Sequence, residues 1–143
     1  MSTIRRTVTF DRPLAEVWEF LADFTTTEQW DPGTVRTTRR SGDGGVGTVY
    51  DNVSKFAGRE SKLVYTVEAV ERERMIKLKG ENPAVTATDT MTFTGNAERT
   101  VVEYVAEFDF HGWLRFAAPL MAPLFKRLGD NAAEGMRAAL SSN

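Results

Sequence analysis

Hydrophobic and polar residues alternate along most of the chain, a pattern that is typical of half-buried β-strands. The alternation predicts seven strands, at residues 3–10, 35–41, 46–53, 61–71, 74–80, 84–94 and 99–110. Short polar or glycine-rich turns separate several of these strands. Because parallel neighbours need long crossover connections, strands joined by such short turns predict an antiparallel meander.

Apolar residues spaced by three and four positions interrupt this alternation and predict helices. Between the first two strands, Asp11 is the predicted cap of a short helix, with Pro13 in its first turn. A second short helix is predicted to end at Trp30, because Pro32 disfavours helical geometry just before it. Residues 118–139 predict one long helix with Pro119 or Pro123 in its first turn, and an earlier start would leave Pro123 to kink it. No repeat or linker is present, so residues 1–143 are expected to form a single domain.

The parity of the last two predicted strands indicates which faces are buried. Apolar residues occupy even positions on the last strand and odd positions on the strand before it. A four-residue turn that pairs Thr94 with Arg99 would bring both apolar faces to the same side of the sheet. This register also predicts that Asp89 lies opposite Tyr104.

Asp89 falls on the face that this parity predicts to be buried. An ionised carboxylate without a partner is costly to bury. It therefore needs a hydroxyl partner such as Tyr104, contact with water, or a bound proton. Water on the concave face of a sheet indicates a cavity, in which a carboxyl of raised pKa can act as a general acid or base. The alternatives are a structural polar pair, or a bulge that turns Asp89 outward.

Composition narrows the chemistry that the chain can carry. The absence of cysteine and the single histidine, His111, exclude disulfides, thiolate nucleophiles and multi-histidine metal sites. The net charge of -2 gives no basic field for nucleic acid, and no nucleotide-binding motif is present. We therefore expect no metal, no cofactor and no nucleic-acid partner. Without a signal-peptide pattern or an apolar stretch long enough to span a bilayer, a cytoplasmic location is expected.

The predicted order of elements is strand, two short helices, six strands and long helix. Three local segments add to the information in this order. They are PLAEVWEFL at residues 13–21, QWDP at residues 29–32 and GGVGT at residues 44–48. Together they resemble the START-like (SRPBCC) superfamily, and more closely its polyketide cyclase/dehydrase-related branch of small bacterial proteins. The resemblance covers nearly the whole chain. It implies an α+β helix-grip fold, in which a seven-stranded curved antiparallel sheet wraps around the long C-terminal helix. It also implies a hydrophobic pocket between sheet and helix.

Parity and the implied pocket together predict a set of ligand-binding residues. Most of them have aromatic or flexible apolar side chains. The predicted ligand-binding residues are Trp30, Tyr50, Tyr65, Asp89, Met91, Tyr104, Phe108, Met121 and Phe125. Among them, Asp89 and Tyr104 are the candidates for catalysis. The competing interpretation is that Trp30 plugs the fold and that the tyrosines fill space in the core.

Three other features carry weaker hypotheses. His111 is expected in an exposed loop, and Arg36, Arg39 and Arg40 on a solvated strand edge. The start of the last helix is apolar on several sides, at Trp113, Leu114, Phe116, Leu120, Leu124 and Phe125. We expect these side chains to be buried under loops or to line the pocket. The alternative is a lipid-facing or dimer-forming surface, and in the latter case the protein would form a homodimer.

Three functions fit the sequence. The first is binding of a small hydrophobic or aromatic molecule, such as a lipid or a polyketide, without changing it. The second is a cyclase or dehydratase reaction in the same cavity, which needs a polar pair such as Asp89 and Tyr104. The third is a protein-interaction module of the chaperone-regulator type, which needs an exposed apolar patch.

Overall fold

Seven antiparallel strands form one sheet in the computed structural model, which describes residues 2–56 and 58–141. The strands are β1 (Ser2–Phe10), β2 (Thr34–Ser41), β3 (Val49–Phe56), β4 (Arg59–Glu71), β5 (Met75–Glu81), β6 (Val85–Gly95) and β7 (Thr100–Phe110). Their order across the sheet is β1-β7-β6-β5-β4-β3-β2. All neighbours except β1 and β7 are consecutive in the chain, which confirms the predicted meander.

Two short helices connect β1 to β2, as predicted. They are α1 (Leu14–Leu21) and α2 (Thr27–Trp30), with a 3₁₀ turn (Phe24–Thr26) between them. The predicted cap at Asp11 is wrong, because α1 begins later and its N-cap position is Pro13. Pro13 has no side chain to cap the helix. The Leu14 N–H instead donates to the Asn96 carbonyl in the β6–β7 turn, 2.9 Å away.

The long C-terminal helix α3 (Ala122–Ser141) begins after two 3₁₀ segments, Gly112–Phe116 and Ala118–Met121. Pro123 therefore lies in its first turn, as one of the two alternatives predicted. Small residues bring α3 close to its neighbours from Gly129 onward. A methyl group at Gly135 would lie 1.8 Å from the Trp30 carbonyl oxygen, and one at Gly129 would lie 2.5 Å from the side chain of Ile4.

The register of the β6–β7 hairpin differs from the prediction by two residues. Thr94 pairs with Val101 instead of Arg99, because the turn occupies residues 96–99. Asn96 holds this turn closed. Its side-chain oxygen accepts hydrogen bonds from the backbone N–H groups of Glu98 and Arg99, at 2.8 and 3.0 Å.

A shift of two residues preserves side-chain parity, so the predicted buried faces are correct. The facing pairs change, however. Asp89 lies opposite Ala106, and Tyr104 lies opposite Met91. Asp89 and Tyr104 are therefore diagonal neighbours on the inner face and not a directly facing pair. The sheet and the C-terminal helix together form the predicted helix-grip fold.

Candidate functional site

A cavity of about 510 Å³ lies between the inner face of the sheet and the start of the C-terminal helix. Its wall is mainly apolar and comes from β4, β6, β7 and the segment around the start of α3. The principal apolar lining residues are Leu63, Ala87, Phe108, Met121, Phe125 and Leu128. A volume in this range is typical of pockets that hold small molecules.

A second hollow, of about 580 Å³, lies between the end of β1 and the last turns of α3. Its lining includes the exposed charged residues Asp11, Glu134 and Arg137. A small-molecule site is usually a mainly apolar recess with a few polar groups pointing inward. The cavity beneath the start of α3 fits that description, so it is the candidate site.

Three buried polar side chains line one region of this cavity. Asp89, Tyr65 and Tyr104 are only 7%, 7% and 8% exposed. None of the three forms a hydrogen bond with another residue in the described part of the chain. No buried side-chain nitrogen or oxygen there is sealed off without a partner. The polar atoms of these three residues therefore face the cavity, where a ligand can reach them.

The ring of Tyr65 lies directly over Gly80, its partner on β5. A methyl group at Gly80 would lie 2.6 Å from Cε1 and Cζ of that ring. Gly80 in turn pairs with Ala87 on β6. The absence of a side chain at Gly80 therefore lets Tyr65 lie flat across the sheet. The sequence analysis missed this role, for which the only signal was a glycine inside a predicted strand.

Asp31, which follows α2, also lines the cavity. Its carboxylate accepts hydrogen bonds from the Gly33 backbone N–H at 3.0 Å and from the Thr34 hydroxyl at 3.1 Å. Its place in the sequence, between the predicted helix end at Trp30 and Pro32, gave no signal of this role. Burial raises the pKa of Asp31, although these two hydrogen bonds oppose the rise.

The electrostatics of the site favour protonated forms. Burial, together with the charge of Asp31, raises the pKa of Asp89 to about 7. Burial also raises the pKa values of Tyr65 and Tyr104 well above the ordinary range, and the charge of Asp89 adds to the effect. At neutral pH the tyrosines are therefore hydroxyl donors, whereas Asp89 is present in both its protonated and its ionised form.

Six of the nine predicted ligand-binding residues line the cavity: Tyr65, Asp89, Tyr104, Phe108, Met121 and Phe125. The structure places Trp30, Tyr50 and Met91 in the packed core instead of the cavity wall. Trp30 donates from Nε1 to the Thr26 hydroxyl at 3.2 Å and packs edge-on against Tyr104, with ring centroids 5.8 Å apart. Trp30 therefore packs behind Tyr104, which itself lines the cavity.

The weaker candidates are all outside the cavity. His111 is exposed, and its ring contacts the Thr86 hydroxyl at 2.8 Å and the Pro83 carbonyl at 3.2 Å. It has no carboxylate partner among the described residues. The three arginines of β2 are exposed on the edge strand, as predicted, and Arg40 forms a salt bridge with Asp51.

The expectation that the apolar start of the last helix is buried is wrong for three residues. Trp113, Phe116 and Leu120 are 75%, 72% and 84% exposed. The segment forms two 3₁₀ turns before α3 begins, and these turns direct Leu114 and Met121 into the cavity. Their neighbours consequently face outward.

Residues 2–56 and 58–141 also bear on metal binding and on membrane insertion. No group of three or more His, Cys, Asp or Glu side chains is arranged to hold a metal ion in this part of the chain. Over the same ranges, no helix is both long enough and apolar enough to cross a membrane.

Comparisons with known proteins agree with this geometry. The Zhui aromatase/cyclase from Streptomyces sp. R1128 has a similar structure, with a TM-score of 0.80 at 18% identity over 94% of this chain and 90% of that one. The protein TTHA0849 from Thermus thermophilus gives a TM-score of 0.82 at 12% identity over 99% of this chain and 98% of that one. A START superfamily protein from Mycobacterium smegmatis gives 0.78 at 11% identity over 98% and 97%.

At these identities the structural matches show the fold alone. No curated protein matches the chain in sequence. A family model described as "Polyketide cyclase / dehydrase and lipid transport", however, matches residues 1–141. The chain therefore belongs to the polyketide cyclase/dehydrase and lipid transport family, within the START-like fold.

Proposed function

We propose that this protein binds a small, mostly apolar molecule inside the cavity and holds its polar group against Asp89, Tyr65 and Tyr104. The observation that carries the proposal is the cavity of about 510 Å³ with three buried, unpartnered polar groups on an otherwise apolar wall. Burying such groups without partners costs free energy, and a ligand that hydrogen-bonds to them recovers part of that cost. The family description, which includes lipid transport, supports the same role.

A substitution that fills the cavity tests this role. Val85 lines the cavity, whereas Val101 lies on the opposite face of β7 and does not. Val85→Phe should weaken binding of the neutral fluorescent probe N-phenyl-1-naphthylamine by about tenfold or more, because the added ring occupies ligand space. Val101→Phe, the matched control, should leave the affinity unchanged. Equal affinity in the two variants, or no saturable binding by the wild-type protein, would refute the proposal.

Native mass spectrometry gives an independent measurement of the same property. The protein as purified should carry a small molecule that dissociates on denaturation, and Val85→Phe should reduce its occupancy relative to Val101→Phe. Circular dichroism melts of both variants establish that any loss is not caused by unfolding. Extraction and identification of the copurifying molecule would also name the ligand.

A second candidate function, cyclase or dehydratase chemistry, is favoured by one specific observation. The pKa of Asp89 lies at about 7 in an apolar setting beside two tyrosine hydroxyls. An ionised Asp89 can remove a proton next to a carbonyl group, and the hydroxyls of Tyr65 and Tyr104 can donate to the oxyanion that develops. The same carboxyl, once protonated, can return the proton to a leaving hydroxyl.

Deuterium exchange distinguishes catalysis from binding alone. In heavy water, a catalytic Asp89 should accelerate deuterium incorporation into the methyl group of 2-acetylnaphthalene, and Asp89→Asn should abolish the acceleration. If the probe binds and the wild-type protein gives no acceleration above buffer, the site is a binding site without this chemistry.

A further inference from the structure

The inner region of the cavity carries two carboxyl groups that no cation neutralises. Asp89 and Asp31 both line it, and neither forms a salt bridge within the described part of the chain. Asp89 is 7% exposed and has no hydrogen-bond partner there. Several carboxylates elsewhere in the described chain do have cationic partners. Asp130, for example, pairs with both Arg6 and Lys126.

Two tyrosines complete this acidic region. Tyr65 and Tyr104 line the same cavity as Asp89 and Asp31, and the charges of both carboxyls act on both tyrosines. Carboxylates combined with aromatic rings are a recurrent way to bind organic ammonium groups, because both present negative charge to the cation. The hydroxyl oxygens of the tyrosines can also accept hydrogen bonds from an ammonium N–H.

In the described part of the chain, the cationic side chains of the cavity lie only at its exposed end. Lys55 and Arg59 are the cationic residues among the described lining residues, and both are exposed. Asp89, in contrast, is buried. An anionic ligand group would therefore find its partners only at the exposed end, where Glu60 also lies, whereas the buried end offers carboxyls and no cation from the described residues.

Building on the binding role proposed above, we infer that the ligand is an amphipathic amine. Its protonated nitrogen lies between Asp89 and Asp31, beside Tyr65 and Tyr104, and its apolar body fills the space under Phe108 and Phe125. A neutral ligand would leave the two carboxyls without a counter-charge. An amine supplies that charge together with N–H donors for the unpartnered oxygens.

Three probes that share one naphthyl body test the charge preference. Isothermal titration calorimetry at pH 7.5 should give about tenfold or tighter affinity for 1-naphthylmethylamine than for 1-naphthalenemethanol. The anionic 1-naphthoic acid should bind more weakly than the alcohol. Asp89→Asn should weaken binding of the amine much more than binding of the alcohol, so that most of the preference for the amine is lost. Asp109→Asn is the matched control, because Asp109 is exposed and does not line the cavity.

The direction of the pH dependence gives a readout on the wild-type protein that needs no variant. The titratable groups around Asp89 are Asp31 beside α2, Tyr65 on β4 and Tyr104 on β7, with Lys55, Arg59 and Glu60 at the exposed end. The lining residues of the C-terminal segment are uncharged. Binding of an ammonium group requires ionised carboxyls, so the affinity for the amine should rise between pH 6 and pH 8. A carbonyl ligand that accepts a hydrogen bond from protonated Asp89 would show the opposite slope.

The outcomes separate this inference from the role on which it rests. If the alcohol binds as tightly as the amine, or if the affinity for the amine falls with rising pH, the ammonium assignment fails and the binding role stands. If none of the naphthyl probes binds, and N-phenyl-1-naphthylamine does not bind either, the binding role itself fails. If Asp89→Asn does not fold, Asp31→Asn and the pH dependence of the wild-type protein decide the question.

Discussion

Substitution of Asp89 by asparagine should stabilise the folded protein at pH 8, by an amount that follows from the burial of this carboxyl. The pKa of Asp89 rises from the ordinary 3.8 to about 7 in the folded state, chiefly because of burial and secondly because of Asp31. At about 1.4 kcal/mol for each tenfold change in proton affinity, the rise corresponds to roughly 4 kcal/mol. Ionisation of Asp89 above pH 7 therefore costs the folded state roughly that amount.

The sign of the pH dependence follows from proton counting. Between pH 3.8 and about pH 7 the folded protein holds a proton on Asp89 that the unfolded chain has released. The free energy of unfolding therefore falls as the pH rises through this range, and this loss is complete above pH 7. Asparagine cannot ionise, so the loss is absent in the variant. Because the amide is itself polar and buried, we expect a net gain of roughly 2 to 4 kcal/mol at pH 8 and almost none at pH 4.

Urea denaturation followed by circular dichroism, from pH 4 to pH 8, measures this difference directly. The other carboxyls titrate in both the wild-type protein and the variant. Subtracting the two curves of unfolding free energy against pH therefore isolates the contribution of Asp89 and of its coupling to Asp31. Asp109→Asn, at an exposed position on β7, should shift neither curve by more than a few tenths of a kcal/mol. A stability difference between wild type and Asp89→Asn that is independent of pH, or a variant less stable than wild type at pH 8, would refute the reasoning.

Three further outcomes are expected. Gly135→Ala should destabilise the protein by about 3 kcal/mol or more, because the new methyl group would lie 1.8 Å from the Trp30 carbonyl oxygen. Urea denaturation measures this loss. A loss below about 1 kcal/mol would mean that α2 and α3 are not in such close contact. Gly80→Ala should displace the ring of Tyr65 and weaken binding of N-phenyl-1-naphthylamine, measured by fluorescence titration. An unchanged affinity would show that Tyr65 does not contribute to the site. Trp113 is 75% exposed and should account for most of the tryptophan fluorescence that acrylamide quenches. Trp113→Phe should remove that quenched fraction. Strong quenching that persists in this variant would contradict the exposure of Trp113.

The fold was largely predictable from the sequence because alternation and helical spacing are local signals. Parity was also robust: a register shift of two residues left Asp89 on the buried face. The pairing itself was not predictable, because it depends on which four residues close the turn. Asn96 accepts two backbone hydrogen bonds there and moves Tyr104 from a position opposite Asp89 to one opposite Met91.

The parts of the site that were missed depend on packing between distant segments. Asp31 looks locally like a residue that ends a helix, and only the folded chain brings it to the same cavity as Asp89. Gly80 matters because the ring of Tyr65, fifteen positions away on the paired strand, covers it. Exposure of Trp113 depends on the 3₁₀ geometry before α3, which hydrophobic spacing does not specify.

The location of the cavity follows from the distribution of side-chain sizes along the C-terminal helix. In α3 from Gly129 onward, small residues allow close approach to the rest of the fold, with Gly129 against β1 and Gly135 against the end of α2. No residue after Leu128 lines the cavity in the described part of the chain. Before that point, Met121, Phe125 and Leu128 line it. The cavity thus lies beneath the start of α3, over the part of the inner face that carries Asp89, Tyr65 and Tyr104. The site therefore lies where Phe125 and Leu128 take the place of the glycines that bring the later turns of α3 against β1 and α2.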